Sequence, residues 1–322
     1  MKNKKFIALI GLGYWGKNIL RNLSELKVLH SACDSNPKVI LERKEEFPNV
    51  NYTLLFEKIL KNPDIKAVII ATPAITHYEI VKKALFEGKD VFVEKPLALK
   101  SEEGEKLVQL AEKNGKILMI GHLLQYHPAI IKLKELISSG KLGKIQYIYS
   151  NRLNIGKLRI EENVLWSFAP HDISVILMLL EDEPIEVSAF GGAYFNKEIY
   201  DTTLTTMSFK NNVKAHIFVS WLHPYKEQKL VVVGSKGMIL FDDLTKEKLF
   251  FYPHKINWDN GIPVAHKAEH QIISVTNEEP LKLEIGHFIR CVEKREKPKT
   301  DGKEGLRVLK ILEQAQDSLN LN

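Results

Sequence analysis

The sequence predicts two α/β domains: a doubly wound parallel sheet over residues 1–121, then over residues 122–322 an α+β domain built on a large, mostly antiparallel open sheet. Three observations carry this. Over the first third of the chain, apolar strand-like runs alternate with helical patterns, the signature of parallel βαβ units. Beyond Gly121 strands dominate, many alternating residue by residue as half-buried antiparallel strands do. The chain's 322 residues also exceed the roughly 250–300 at which single cores usually stop growing.

Residues 6–10 form a short, β-branched apolar run that suits a strand buried on both faces. The run feeds into Gly11-Leu12-Gly13-Tyr14-Trp15-Gly16 and then into residues 17–26, where Ile19, Leu20, Leu23 and Leu26 recur at helical spacing. At such a turn Gly11 permits the bend, Gly13 lets a pyrophosphate approach the backbone, and Gly16 lets helix and strand pack closely, with free N–H groups and positive dipole at the helix start. Gly11, Gly13, Tyr14, Trp15 and Gly16 are therefore the candidate dinucleotide loop. The next apolar run, residues 28–33, ends at Asp34, 18 residues past Gly16. A carboxylate there takes the ribose hydroxyls of NAD and repels the 2′-phosphate of NADP.

A charged helix over 37–47, a short strand at 51–53 and a short helix over 54–60 follow. The strand at 67–71 ends in Thr72-Pro73, at the sheet edge where open α/β folds place ligands. A helix over 77–87 closes at Gly88, and a strand at 90–93 runs into Glu94-Lys95-Pro96. Ser101 is placed to cap the next helix, which ends at Asn114-Gly115, and a strand at 117–120 leaves through Gly121. In the second part, residues 128–139 read as a helix. Strands are expected at 145–153, 185–194, 202–209, 213–221, 229–233, 238–242 and 248–252, with turns at Asn211-Asn212 and Gly234 to Gly237. Residues 281–295 and 302–322 are helical.

The formal charge is +6, but 46 basic residues are interleaved with 40 acidic ones and form no block, so nucleic acid is not an expected partner. Local cations serving an anionic small molecule fit better. The two cysteines, Cys33 and Cys291, read as reduced core thiols of a cytoplasmic protein. Residues 1–5, followed at once by a strand, leave no room for a signal peptide, and no window reaches the ~20 apolar residues that span a bilayer. Neither cysteines nor histidines show metal-ligand spacing, so no metal is expected.

Lys95 stands at the carboxyl end of a strand in the nucleotide domain, where it can hold a substrate hydroxyl and take part in a proton relay. The plain alternative is an exposed lysine at a strand end. The four motifs GLGYWG, ATPAITH (71–77), VEKPLA (93–98) and GHLLQYHP (121–128) together resemble the glucose-fructose oxidoreductase, inositol dehydrogenase and rhizopine-catabolism (Gfo/Idh/MocA) family, in that family's order and along essentially the whole chain. The resemblance implies a Rossmann domain that binds NAD, a catalytic Lys95, and Thr72, Pro73, His77 and Glu94 lying along the cofactor. It also implies a general acid/base histidine at a helix start in the second domain, which His171 matches. The family's aspartate position upstream of that histidine carries Ser167, and Asp172 is a candidate helix-start carboxylate.

Substrate residues are sought in the second domain. Arg152, Lys157 and Arg159, with Asn154 between them, end a strand; arginine forks suit phosphate. Trp166 and Trp221 are candidates for walling a sugar. The run 151–174 and the SWLHP segment look like the UDP-N-acetylglucosamine 3-dehydrogenases of the family. This implies NAD-dependent oxidation of the C3 hydroxyl of a UDP-N-acetylhexosamine, a homodimer or homotetramer assembled through the open sheet, and an aminotransferase consuming the ketone. A free polyol or aldose dehydrogenase, a ketosugar reductase and a non-catalytic NAD-binding regulator are the alternatives.

Overall fold

The structure, a computed structural model, describes residues 5–156 and 158–320. Lys157, one of the three cations singled out above, lies outside them, as do residues 1–4 of the N-terminal stretch. The chain forms two compact units: the chain up to Leu123 together with Glu279–Lys310, and Leu124–Glu278 together with the chain from Ile311 onward. The sequence division at Gly121 assigned all of 122–322 to the second domain. Residues 279–310 belong instead to the first unit, because their contacts are there. Thr300 donates to the Ile120 carbonyl at 2.8 Å, Arg295 pairs with Asp90 at 2.6 Å, and the Phe288 ring meets Phe92 edge-on.

The first unit holds a parallel six-stranded sheet of β1 (Ile7–Ile10), β2 (Leu29–Cys33), β3 (Asn51–Thr53), β4 (Ala67–Ile70), β5 (Asp90–Glu94) and β6 (Leu118–Gly121), in the order β3-β2-β1-β4-β5-β6. That order reverses between β1 and β4, which opens a crevice at the carboxyl ends of the strands. Every residue of β1, β4 and β6 is buried, as both-face coverage by helices requires. The covering helices are α1 (Tyr14–Glu25), α2 (Pro37–Glu46), α3 (Phe56–Leu60), α4 (His77–Phe86) and α5 (Ser101–Lys113). Ser101 is the first residue of α5 rather than its cap, a position held by Lys100.

The second unit opens with α6 (Pro128–Ser138) and β7 (Ile145–Leu153), then α7 (Val164–Leu180). Its sheet is completed by β8 (Glu186–Gly192), β9 (Thr202–Ser208), β10 (Lys214–Ser220), β11 (Glu227–Gly234), β12 (Gly237–Asp242) and β13 (Leu249–Tyr252). An exposed hairpin of β14 (Lys255–Asp259) and β15 (Ile262–His266) precedes β16 (Gln271–Ile272). The sheet runs β16-β13-β12-β11-β7-β10-β9-β8; only β7 and β10 pair in parallel. The turn at Asn211-Asn212 takes the positive φ its residues tolerate (58° and 60°). Asn260-Gly261, with φ of 48° and 80°, turns the β14–β15 hairpin, a signal the sequence reading passes over. Helices α8 (Pro280–Lys294) and α9 (Gly302–Asn320) end the chain, α9 contributing to both units. Both cysteines are free and buried, and burial pushes the Cys33 thiol up to about 12, so neither is a ready nucleophile. Among the described residues no helix is long and apolar enough to cross a membrane, and no group of three or more His, Cys, Asp or Glu side chains could hold a metal ion.

Candidate active site

The glycine loop joins β1 to α1, and each glycine answers a different steric demand. Gly11 has φ +97°, and a Cβ on it would lie 2.5 Å from the Ala71 carbonyl oxygen, where β1 and β4 diverge. A Cβ on Gly16 would lie 2.1 Å from the Gly11 oxygen. A Cβ on Gly13 meets nothing within 4 Å, so the space above that backbone is open to a pyrophosphate. Gly13 is the N-cap of α1 and gives its first N–H groups no side-chain acceptor, which leaves an anion site at a helix start. Tyr14 is exposed and Trp15 half-buried. Asp34, just beyond β2, accepts from the Leu12 N–H and the Asn36 N–H, each at 2.8 Å. A carboxylate offers about four acceptor positions, so Asp34 anchors the loop and keeps capacity for a ribose hydroxyl. These residues fit an adenine dinucleotide.

Further along the same sheet, Thr72 accepts from the Thr76 hydroxyl at 2.7 Å and Pro73 is exposed. His77 departs from its expected place along the cofactor. It is 1% exposed, with Nδ1 2.7 Å from the Pro96 carbonyl and Nε2 2.9 Å from the Thr72 carbonyl. The ring ties the loops after β4 and β5 together, and its nitrogens are spent on doing so.

Glu94 ends β5 and Lys95 follows, half-buried, before a cis bond to Pro96. The Trp15 indole N–H donates to Glu94 Oε1 at 2.6 Å, linking the glycine loop to the carboxyl end of β5. Gly121 makes room for that carboxylate, since a Cβ there would lie 2.9 Å from Glu94 Oε2. Burial pushes the Glu94 carboxyl up to about 7 against the opposing pull of Trp15 and Lys95. Glu284 on α8 is wholly buried, both its oxygens lack hydrogen-bond partners, and burial together with Glu94 holds its carboxyl well above the usual carboxylate range. The sequence reading missed it, though the signal was there: Glu284 stands on the apolar face of α8 with Leu281, Ile285 and Phe288. His122, the residue after β6, is buried, and burial plus the nearby Lys95 charge pull it down to about 3, so the imidazole is neutral.

In the second unit the histidine lies deeper in its helix than expected. α7 begins at Val164 behind Asn163, whose Oδ1 accepts from the Trp166 N–H at 3.3 Å; His171 is an interior residue of the helix, half-buried. Asp172 is correspondingly no helix-start carboxylate. It is buried and paired with Arg152, Nε to Oδ2 at 2.8 Å and Nη2 to Oδ1 at 3.1 Å. Arg152 is therefore committed inside the protein rather than standing free for a diphosphate. Arg159 is exposed and paired with Glu162 at 2.6 Å, and Asn154 is half-buried. Trp166 is half-buried, its indole N–H on Gln316 Oε1 at 3.1 Å. Trp221 is 1% exposed and edge-on to Phe168. A ring so enclosed is core and offers no face to a sugar, which corrects its expected role. Ser167, at the family's aspartate position, is buried.

Comparison with known proteins places both domains in one family. Residues 5–122 match the oxidoreductase family with an NAD-binding Rossmann fold, and residues 130–240 match the GFO/IDH/MocA C-terminal domain. The chain is 25% identical over 310 residues to the UDP-N-acetylglucosamine 3-dehydrogenase of Acidithiobacillus ferrooxidans, covering 94% of this chain and 93% of that protein. It is 28% identical over 320 residues to the scyllo-inositol 2-dehydrogenase (NAD(+)) of Bacillus subtilis, covering 92% and 89%. The solved structure of the Acidithiobacillus enzyme superposes with a TM-score of 0.86 at 24% identity over 98% of this chain and 97% of that one, which shows a shared fold. With both domains matched, the chain belongs to the Gfo/Idh/MocA family of oxidoreductases.

Proposed function

We propose that this oxidoreductase is an NAD-dependent dehydrogenase that oxidises the C3 hydroxyl of a UDP-N-acetylhexosamine, UDP-N-acetylglucosamine first among them, to the 3-keto sugar. The observation that carries the reading is the similarity to the Acidithiobacillus enzyme along 94% of the chain. Asp34 beside the glycine loop supports NAD over NADP. A bound nicotinamide supplies the hydride acceptor. Lys95 holds the hydroxyl oxygen and stabilises its developing charge, and His171 takes its proton. Glu94, sharing its environment with Lys95 and tied to Trp15, orients the lysine end of β5. With Arg152 committed to Asp172, recognition of the diphosphate falls to Arg159 and Asn154, and Trp166 is the aromatic residue left to contact the sugar.

The second reading, a dehydrogenase of a free polyol, is favoured by the 28% identity to the scyllo-inositol enzyme. The deciding experiment follows NADH formation with UDP-N-acetylglucosamine, UDP-glucose, myo-inositol and glucose, each with NAD and with NADP, while an aminotransferase and glutamate draw off the ketone. Turnover of UDP-N-acetylglucosamine with NAD is expected. Turnover of a free polyol alone would replace the nucleotide sugar and keep the chemistry. Assembly into a homodimer or homotetramer through the open sheet, in the cytoplasm, belongs to the same reading, and light scattering tests the oligomer.

A further inference from the structure

We propose that the buried Arg152–Asp172 ion pair is the positioning device of His171: it fastens α7 to β7 one residue beyond the imidazole, so that Arg152 serves the proton-transfer residue and not the substrate. The proposal rests on the reading of His171 as the acid/base.

The argument begins with a weakness in α7. Pro170 sits inside the helix, one residue before His171, and has no N–H to return to the Trp166 carbonyl. A helix lacking a rung there is free to kink, and the side chain whose aim would suffer is the next one. Asp172 restores the constraint from outside the helix. Its carboxylate accepts from Arg152 Nε at 2.8 Å, from Arg152 Nη2 at 3.1 Å and from the Ser150 hydroxyl at 2.7 Å. Both donors project from β7, a central strand held between β11 and β10. The planar guanidinium fork, unlike a lysine, fixes an orientation as well as a distance. Exposure of the two side chains is 11% and 2%, so water does not compete for the pair. Ion pairs so enclosed add little net stability compared with apolar residues of the same size, and where they persist they are candidates for specifying geometry.

The test replaces the pair as a unit in the full-length protein, Arg152→Met with Asp172→Leu, because removing one partner alone leaves a buried charge. Four quantities are read: the melting temperature, kcat and KM for UDP-N-acetylglucosamine, and the His171 imidazole signals in an NMR spectrum of protein carrying labelled histidine. Expected are a retained fold, KM changed by less than about threefold, and kcat lowered about 10²-fold, the scale of a small misplacement of a catalytic group. His171 signals should move. Unmoved His171 signals with kcat retained overturn the proposal. So does a raised KM with kcat retained, which returns Arg152 to the diphosphate. A double variant that does not fold is replaced by Arg152→Lys, which keeps the charge and loses the fork, read by the same criteria. A His171→Asn control separates the two ideas. If that variant keeps full turnover, the acid/base reading fails, while displaced or unmoved His171 signals in the pair variant still decide the clamp.

Discussion

The glycine turn of the first unit and Arg152 at the cationic strand end of the second were both marked by residue type, yet of the two only the turn kept its meaning in the fold. At the turn the information is steric and written in backbone. Gly11 and Gly16 lack a Cβ because backbone carbonyls stand 2.5 and 2.1 Å from where it would be, and Gly13 lacks one with open space above it. Gly16 answers to a carbonyl five residues back and Gly11 to its own positive φ and the backbone of the adjoining strand end, and no side chain elsewhere can change those demands. At the strand end the information was charge, and charge is satisfied by whatever the fold brings near. Asp172, from a helix 20 residues away in sequence, claimed Arg152 in the interior, while Arg159 keeps an exposed pair with Glu162. A motif written in backbone sterics survives folding, whereas one written in long charged side chains is open to capture from elsewhere in the chain.

Several substitutions break or sharpen this contrast. The largest effect should come from Lys95→Met, which lowers turnover by about 10²- to 10³-fold, the usual worth of a group that stabilises charge developing on oxygen. Its dinucleotide affinity should change no more than a few-fold, as fluorescence titration would show; an equal loss in both would make Lys95 a cofactor ligand instead. Next, Arg152→Met alone should cost about 3–5 kcal/mol in denaturant unfolding because it strands Asp172 in the interior. Arg159→Met, at an exposed pair, should cost no more than about 1 kcal/mol. Similar values for both arginines would put Arg152 at the surface in solution.

Within the loop, Gly16→Ala should lose about 1–3 kcal/mol or more through overpacking against a carbonyl that has no room to yield. Gly13→Ala should melt as the parent does and bind NAD more weakly. A Gly13→Ala protein with unchanged NAD affinity would remove the pyrophosphate from above that residue. The smallest effect concerns pH. The Glu94 carboxyl, pushed up to about 7 from 4.5, holds a proton in the folded state that the unfolded chain releases. Its contribution therefore falls as pH rises from about 4.5 through about 7, because the unfolded state binds fewer protons over that window. Melting temperatures of the parent should decline across this range more steeply than those of Glu94→Gln. Parallel curves would mean that folding leaves the Glu94 titration unshifted.

Much of the molecule was legible beforehand because its signals are short-range. The strand expected over 145–153 is β7, Ile145–Leu153, to the residue. The buried apolar runs and the glycine spacing located β1, α1, β2 and β4, and Asp34 stands where the spacing put it. The family motifs around Lys95 and His171 were likewise readable as strings. Only the tertiary structure decided the rest, in each case because the deciding partner lies far along the chain. Residues 279–310 joined the first unit through contacts with Asp90, Phe92 and Ile120. Trp221 went to the core, His77 was spent on bridging two loops, and Glu284 came to lie buried near Glu94. Local sterics and periodicity are properties of a few consecutive residues, so sequence alone carries them. Burial and the pairing of charges are properties of the packed chain, and they settled which marked residues remained available for chemistry.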